Sequence, residues 1–336
     1  MQHPFANYVH VPNVIGIRTN IPGFRWGFGA CGTSASKDAF DRCKIKVFLE
    51  ERKDRAVFED IDLASYTETF RDFRAKPESE SVVFDKKIGP LRLRFSLCVQ
   101  GNCVHVVVGR SYLRYVRFKL MYIHPIAYVL FDVVSLLLLQ QNLTTLYCSA
   151  VVLRDGRTVV CVAPPNTGKS LTVLQLQKQH GARIIAEDMA VTNGESIWGA
   201  PYTGLYRDYH DESLKAGDRE PEADAFSPQI DAAFLLQKGA SDAESHTDAF
   251  LHQMVLVNRY SLGYYYAPCV RVLDYYNRGW DMQAAQRAEE QILGRIVDTA
   301  LTEIVERRNA LDFAQYIHAA MQQDRHKETD ACEYSF

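Results

Sequence analysis

The sequence predicts an α/β protein of the α+β kind, in which an antiparallel β-rich region precedes a core with a mixed sheet. Three observations support this fold class. Apolar and polar residues alternate in short runs from Met1 to about Phe118, which favours antiparallel strands. An apolar run, a glycine-bearing loop and a helical pattern follow one another between Thr158 and His180. Helical spacing then dominates Ala249 to Arg259 and Asp281 to Met321.

Length and composition favour a globular protein with more than one core. The chain has 336 residues, of which 47% are hydrophobic and 24% charged, and this length favours two domains or one core with a lead-in region. We expect a β-rich N-terminal region at 1–122, a core with C-terminal helices at 123–321 and a polar tail at 322–336. The net charge of −3 predicts no basic surface for nucleic acid.

The cysteines and the N-terminus point to a reducing compartment. The eight cysteines are scattered, without a CxxC pair or the spacing of metal ligands, which is typical of reduced thiols in a cytosolic protein. Residues Met1 to Tyr8 carry neither a basic stretch nor an apolar core, so no signal peptide is expected. We therefore predict a cytoplasmic protein.

Several segments of the N-terminal region are strand candidates. Lys44 to Leu49 and Leu91 to Leu97 alternate, and Cys103 to Val108 follows a Gln-Gly-Asn turn, so we expect the last two segments to form a hairpin. The stretch Asp72 to Ser81, rich in Lys, Pro, Glu and Ser, predicts a surface loop. Nothing in this region has a catalytic spacing, and His10 and His105 are each expected to be an exposed or satisfied structural histidine rather than a ligand.

The apolar segment Ile123 to Leu139 is expected to be a buried helix that packs on one face of a sheet. It contains His124, Pro125 and Asp132 and is barely long enough to cross a bilayer, so a membrane is not an expected partner. A membrane-surface role is the alternative, because a basic run precedes the segment. This run comprises Arg110, Arg114, Arg117 and Lys119.

The loop from Ala163 to Ser170, Ala-Pro-Pro-Asn-Thr-Gly-Lys-Ser, lies between strand and helix as a phosphate-binding loop requires. Backbone N–H groups and the positive end of the helix dipole point at one place in such a loop. Lys169 is expected to reach the β- and γ-phosphates of a nucleotide, and the Ser170 hydroxyl to ligate Mg²⁺. The predicted nucleotide-binding residues are Asn166, Thr167, Gly168, Lys169, Ser170 and Leu171. The alternative is an ordinary strand-to-helix turn.

A hairpin precedes this loop, and a strand ending in two acids follows its helix. Leu146 to Leu153 and Thr158 to Val162 flank an Asp-Gly turn, and Arg183 to Ala186 leads into Glu187 and Asp188. The helix rises roughly 18 Å and the next strand returns over nearly that length, so a right-handed crossover brings the acids beside the loop. One acid can then hold Mg²⁺ and the other take a proton from an attacking hydroxyl. Two solvated acids in a turn are the alternative.

Further elements are expected beyond the acids. Met189 to Thr192 and Ser196 to Gly199 flank an Asn-Gly turn and predict a second hairpin. The polar, acidic stretch Asp208 to Ser227 is expected to be a mobile surface segment. Ile230 to Leu236 predicts a buried strand, and Gln322 to Phe336 a polar, frayed tail.

The order of these elements resembles the HPr kinase/phosphorylase and phosphoenolpyruvate carboxykinase-like group. Members of that group carry a phosphate loop followed, about one helix and one strand later, by Asp-Asp, where this chain has Glu187 and Asp188. The resemblance covers roughly Asn142 to Ala240. It implies a P-loop carboxykinase-like core in which Lys169 and Ser170 serve phosphate and Mg²⁺. It also implies that Glu187 is the acid on the metal side and that Asp188 is the catalytic base.

Two departures from the family pattern refine the expected function. Family members often place a histidine near the start of the strand before the loop, where this chain has Tyr147 or Cys148. No clear counterpart of their C-terminal glycine-rich signature is present, so neither phosphorolysis nor HPr as acceptor is expected. The resemblance therefore implies a divergent member of the peptide-serine kinase type.

Such a kinase uses ATP and Mg²⁺ and transfers the γ-phosphoryl group to a serine-type hydroxyl of a peptide, protein or small molecule. The alternative is a nucleotide-binding regulatory or partner-binding module without phosphoryl transfer, because Glu187 replaces the first Asp of the family pattern and the histidine is missing. Assembly as a homo-oligomer is left open.

Overall fold

The protein has a mixed α/β fold with its strands in three sheets, as the computed structural model shows for residues 3–21, 33–70, 72–76, 81–116, 126–187, 189–199, 227–239, 247–262 and 282–333. Within these ranges the contacts divide the chain into two compact units. One unit contains the described residues up to Asn142 together with 282–288. The other contains residues 143–199, 227–262 and 289–333.

The first unit is built on a sheet of nine described strands in the order β3-β1-β2-β4-β9-β8-β7-β6-β5. These strands are β1 (Ala6–Val11), β2 (Ile15–Thr19), β3 (Thr33–Ser34), β4 (Ile45–Arg52), β5 (Glu68–Phe70), β6 (Phe73–Ala75), β7 (Ser81–Ile88), β8 (Leu91–Gln100) and β9 (Cys103–Gly109). The helices are α1 (Lys37–Asp41), α2 (Arg110–Val116) and α3 (Ile126–Gln140). Because side chains alternate across each strand, Val47 and Leu49 of β4 both lie on a buried face.

The predicted strands of this unit are present, but the expected antiparallel arrangement is only partly right. The hairpin of β8 and β9 is confirmed, with Gly101 at a positive φ of 56° in its turn. Strand β4, however, runs parallel to both of its neighbours, β2 and β9. Hydrophobic alternation sets which face a side chain occupies and carries no information on strand direction. The connection between β2 and β4 includes β3 and α1, and it joins the two strands as a parallel pair.

The predicted loop from Asp72 to Ser81 is wrong at both ends, since β6 lies near its start and Ser81 is the first residue of β7. Phe73–Ala75 form β6, which pairs with β7. The Phe73 ring packs edge-on against Phe84, with 5.0 Å between the centroids. This aromatic pair buries apolar surface. The polar composition of the segment, on which the loop prediction is based, does not indicate that burial. Residues 77–80 lie outside the described part.

The expected buried helix is confirmed as α3. Its residues from Val133 to Leu139 are all buried, and it contacts β4 of the sheet. No helix within the described ranges is long and apolar enough to cross a membrane. His124, Pro125, Arg117 and Lys119 lie outside those ranges.

His10 is a buried titratable group of the first unit. Its side chain is only 4% exposed, at a point where the register of β1 with β2 shifts between Val9 and Val11. Burial lowers the pKa of His10 from 6.5 to about 4, because the charged imidazolium loses its hydration. The folded protein therefore binds this proton more weakly than the unfolded chain does.

We expect acid to destabilise the protein through His10. A folded-state pKa below the unfolded value means that stability is complete above pH 6.5 and is lost as the pH falls from 6.5 towards 4. Between pH 7 and pH 5 the free energy of unfolding should fall by about 2 kcal/mol through this group. Urea titrations at the two pH values measure it.

The matched variants are His10→Leu and His105→Leu. The first should remove most of the pH dependence, because no imidazole is left to protonate. The second should retain it, because His105 is an exposed residue that stacks on Phe48 at 4.7 Å, and desolvation lowers its pKa less extensively than that of His10. An unchanged pH slope in His10→Leu would contradict this account.

The second unit contains a five-stranded sheet in the order β13-β11-β12-β16-β17 and a three-stranded sheet in the order β10-β14-β15. The strands are β10 (Thr144–Leu146), β11 (Cys148–Val152), β12 (Thr158–Val162), β13 (Arg183–Ala186), β14 (Ala190–Thr192), β15 (Ile197–Gly199), β16 (Ala232–Lys238) and β17 (Leu301–Arg307). The helices are α4 (Lys169–His180), α5 (Thr247–Leu262), α6 (Met282–Thr299), of which residues 289–299 belong to this unit, and α7 (Ala310–Glu333).

The five-stranded sheet carries the core of this unit. Strand β12 runs antiparallel to β11 and parallel to β16, which in turn runs parallel to β17. Val160 and Val162 of β12 join one apolar cluster with Phe250 of α5 and Leu293 of α6. Helix α4 packs against α7 and β11. The predicted hairpins β11–β12 and β14–β15 are both confirmed.

Two expectations for the C-terminal part are wrong. Residues 301–307 lie in the stretch expected to be helical but form the edge strand β17, because pairing along the whole of β16 overrides the helical spacing. Helix α7 continues to Glu333, so the expected frayed tail is helical over most of its length. Of the expected surface segment Asp208 to Ser227, residues 208–226 lie outside the described part.

Candidate functional site

The predicted phosphate loop joins β12 to α4, so the expected strand, loop and helix are all present. Every residue of β12 is buried, as expected for a central strand of a covered sheet. The loop follows at once, and α4 begins at Lys169. Helix α4 ends at Gly181, whose φ of 65° is left-handed and whose N–H donates to carbonyls of the last turn.

The backbone of the loop is shaped by two residues with positive φ. Asn166 has a φ of 66°, and Gly168, at the N-cap of α4, has a φ of 107°. The Thr167 N–H donates to the Pro164 carbonyl over 3.3 Å. Because Gly168 has no side chain to cap the helix, the first N–H groups of α4 can serve an anion at this end, where the helix dipole favours negative charge.

Lys169 is the first residue of α4 and is only 4% exposed. Its ammonium group donates to the backbone carbonyl of Glu187 over 3.0 Å and to Ser149 Oγ over 3.3 Å. The Ser149 hydroxyl itself donates to the same Glu187 carbonyl. Lys169 Nζ also lies 4.3 Å from the centroid of the Tyr147 ring, which is cation–π distance. The ammonium is therefore held at the end of the five-stranded sheet.

The fold explains why Glu187 reaches Lys169. Strand β13 pairs with β11 rather than with β12, and Ala186 lies opposite Ala150. Since β11 runs antiparallel to both neighbours, β12 and β13 end at the same edge. The sequence prediction that the chain returns beside the loop is confirmed for Glu187, whose side chain is 2% exposed. Asp188, the predicted base, lies outside the described residues.

The remaining predicted residues lie on the loop and the first turn of the helix. Asn166 is exposed, while Thr167, Gly168 and Ser170 are half-buried. Leu171 is 41% exposed. Ala310, the first residue of α7, lies close to Gly168, since a Cβ on that glycine would stand 3.7 Å from the alanine methyl.

Sequence reasoning missed Ser149 as a member of this site. Its only sequence signal is a hydroxyl inside the otherwise apolar strand Cys148–Val152, all of which is buried. From the sequence, Tyr147 or Cys148 stands where proteins of the group that this chain resembles often have a histidine, and no role is predicted for either residue. The structure places the Tyr147 ring against Lys169, and Cys148 is fully buried.

Neighbouring groups limit the chemistry of the site. Burial raises the pKa of the Cys161 thiol, on β12, to about 12, so this cysteine stays protonated and is a poor nucleophile at neutral pH. Within the described ranges, no group of three or more His, Cys, Asp or Glu side chains could hold a metal ion. Mg²⁺ commonly takes one or two protein ligands besides waters and substrate phosphates, so the predicted pair Ser170 and Glu187 does not need such a cluster.

The arrangement can bind an anion at the N-terminus of α4 and place a buried cation beside it. A helix N-terminus, left-handed loop residues and a lysine in the first turn together suit a phosphate group. In comparisons with known proteins, no family model and no curated protein matches this chain.

Proposed function

We propose that the protein is an ATP-dependent kinase that transfers the γ-phosphoryl group to a serine-type hydroxyl of a peptide, protein or small molecule. The observation that carries the proposal is the 3.0 Å contact between Lys169 Nζ and the Glu187 carbonyl. It brings the end of the loop and the start of the acidic pair to one sheet edge. Phosphoryl transfer needs a phosphate cradle, a cation and a carboxylate within a short reach of each other.

The proposed roles follow from the chemistry of each group. The N–H groups of the loop and Lys169 would bind the phosphates of ATP. Asp188 would accept the proton of the acceptor hydroxyl, whose oxygen attacks the γ-phosphorus while the bond to the bridging β–γ oxygen breaks and ADP leaves. Ser170 and Glu187 are oxygen donors that fit Mg²⁺, which neutralises phosphate charge when bound.

The topology of the second unit supports a carboxykinase-like core for this kinase. One hairpin, β11–β12, leads into the loop, and a single helix and a single strand separate Lys169 from Glu187. These are the features on which the resemblance to the HPr kinase/phosphorylase and carboxykinase-like group rests. The acceptor class, a serine-type hydroxyl, depends on that resemblance.

A label-transfer experiment tests the proposal. The purified protein is incubated with γ-labelled ATP and Mg²⁺ in an extract of its own source, and the labelled products are separated. We expect label on a discrete peptide, protein or metabolite with the wild type and none with Lys169→Met. Lys178→Met is the matched control, because Lys178 is an exposed lysine on the same helix; it should transfer label normally.

The second candidate function is a nucleotide-binding regulatory module without transfer. Tyr147 favours it, because a phenol rather than an imidazole stands beside Lys169, and histidine is the side chain suited to exchanging a proton near neutral pH. This candidate predicts tight binding of Mg²⁺-ATP with no labelled acceptor in any extract fraction. Label that moves only with an intact Lys169 would exclude it.

A further inference from the structure

A single buried side chain spans the junction between β10 and β11, just before the Tyr147 ring. Asn258, on α5, is fully buried. Its Oδ1 accepts from the Tyr147 N–H over 2.8 Å, and its Nδ2 donates to the Thr145 carbonyl over 3.2 Å. These two bonds hold the backbone on either side of Leu146. Asn258 therefore takes the place of a neighbouring strand at this junction.

The orientation of the Asn258 amide is determined by its partners. The Tyr147 N–H can only donate, so it requires the amide oxygen. The Thr145 carbonyl and the Glu289 carboxylate can only accept, so they require the amide nitrogen, which donates to Glu289 Oε1 over 2.7 Å. The reverse orientation would break all three hydrogen bonds. The Asn258 amide therefore has only one orientation that satisfies all three partners.

Glu289, which accepts a hydrogen bond from the Asn258 amide, is itself held by an ion pair. Glu289, on α6, is 1% exposed and accepts from Arg259 Nε over 2.9 Å, while Arg259 also contacts Glu290 over 3.0 Å. Burial raises the pKa of Glu289, and the hydrogen bonds from Arg259 and Asn258 oppose that rise by stabilising the charged form. A buried carboxylate keeps such partners because losing one is costly. Asn258 is therefore fixed from both ends.

The hydrogen bonds of Asn258 fix the position of Tyr147, whose ring contacts Lys169. With the Tyr147 backbone held by Asn258, the direction of its Cα–Cβ bond is set. The ring then lies under Lys169 Nζ at 4.3 Å. On the other side, the ammonium donates to Ser149 and the Glu187 carbonyl. A chain of direct contacts thus runs from Glu289 through Asn258 and Tyr147 to the phosphate-loop lysine.

We propose that Asn258 is a positioning residue for Lys169, acting through the Tyr147 ring to hold the ammonium at the sheet edge for a nucleoside triphosphate. The inference rests on the proposed function for its ligand and on the contacts alone for the positioning. It assigns Tyr147 the part of an aromatic support for the lysine. It also gives a role to a residue of α5 that is distant from the loop in sequence.

The first experiment measures the positioning without nucleotide. Lys169 is labelled with a small amine-reactive anhydride, and the rate is followed by mass spectrometry of the Lys169 peptide. Labelling should be several-fold faster in Tyr147→Leu and Asn258→Leu than in the wild type, because the ring that covers the Lys169 amine is lost or displaced and the anhydride gains access to it. Tyr147→Phe should label at the wild-type rate, since the ring is kept. Equal rates in the wild type and Tyr147→Leu would overturn the inference.

A matched control separates positioning from a general loss of stability. Asp231→Ala removes the carboxylate that accepts from the Thr158 N–H over 2.6 Å, at the end of β12 opposite the loop. This variant should unfold at lower denaturant than the wild type and still label Lys169 at the wild-type rate. If Asn258→Leu does not fold, Tyr147→Leu compared with Tyr147→Phe decides the inference. Fast labelling in Asp231→Ala would overturn it.

The second experiment measures the affinity of a fluorescent, non-hydrolysable ATP analogue with Mg²⁺. Tyr147→Leu and Asn258→Leu should weaken binding by about 2- to 30-fold, the range expected from one cation–π contact, while Tyr147→Phe keeps the wild-type affinity. Unchanged affinity in Tyr147→Leu would overturn the inference. A wild type that binds no nucleotide would instead overturn the proposed function, and the labelling rates would still decide the positioning.

Discussion

Replacing Lys169 by methionine is expected to weaken nucleotide binding by roughly 10- to 100-fold, the loss of one charge-assisted hydrogen bond to phosphate, and to abolish phosphoryl transfer. Methionine keeps an apolar stem of similar length in a site that is 4% exposed. The fold should therefore survive. Titration of a fluorescent ATP analogue with Mg²⁺ measures the affinity, and thermal unfolding monitors the fold.

The comparison that decides this result is with Lys178→Met. Both substitutions remove one positive charge from α4, but Lys178 is exposed near the C-terminal end of the helix. A general electrostatic effect would weaken binding similarly in both variants. A specific role predicts the loss in Lys169→Met alone. Wild-type affinity in Lys169→Met would contradict the phosphate-binding role of this loop.

Asp188→Asn should lower the rate of phosphoryl transfer by about 10²- to 10⁴-fold, the range for loss of a general base, while nucleotide affinity stays close to the wild-type value. The amide has nearly the same shape as the carboxylate but cannot accept the proton of the acceptor hydroxyl. Label transfer from γ-labelled ATP in the source extract measures the rate. Full transfer by Asp188→Asn would remove Asp188 as the base.

Glu187→Gln is the variant to set beside it. Glu187 is the proposed ligand of Mg²⁺, so the glutamine variant should need more Mg²⁺ and recover transfer as the Mg²⁺ concentration rises. Asp188→Asn should stay slow at every Mg²⁺ concentration. The backbone carbonyl of residue 187, which binds Lys169, is untouched by either substitution. Identical Mg²⁺ curves for both variants would contradict the division of labour between the two acids.

The parts of the fold that were predicted are those with signals close together in the chain. The hairpin β8–β9 follows from alternation on both sides of Gly101, and β14–β15 follows from the Asn-Gly turn at Asn193. The buried helix α3 follows from a continuous apolar segment. Each of these elements satisfies its own backbone hydrogen bonds locally or with a neighbouring segment, so a short window of residues contains the information.

The parts that were wrong depend on partners far along the chain. Strand β17 has acidic residues at Glu303 and Glu306 and a helical neighbour on each side, but its seven residues all pair with β16. The parallel pairing of β4 with β2 and β9 likewise depends on the longer connections between them, which contain β3 and α1 in the first case and β5 to β8 in the second. Local pattern does not distinguish these outcomes, because the competing hydrogen bonds are made with distant strands.

For the candidate site, the sequence by itself determined the loop from Ala163 to Ser170 and the return of Glu187 to its side, because helix and strand lengths set where the chain comes back. Only the tertiary structure placed Ser149 and the Tyr147 ring against Lys169, and Asn258 against the backbone of Tyr147. Asn258 lies 111 positions from Tyr147, and their contact exists because α5 packs against the strand junction. A buried hydrogen-bond donor needs an acceptor. Which residue supplies that acceptor depends on tertiary packing, which the order of residues along the chain does not show.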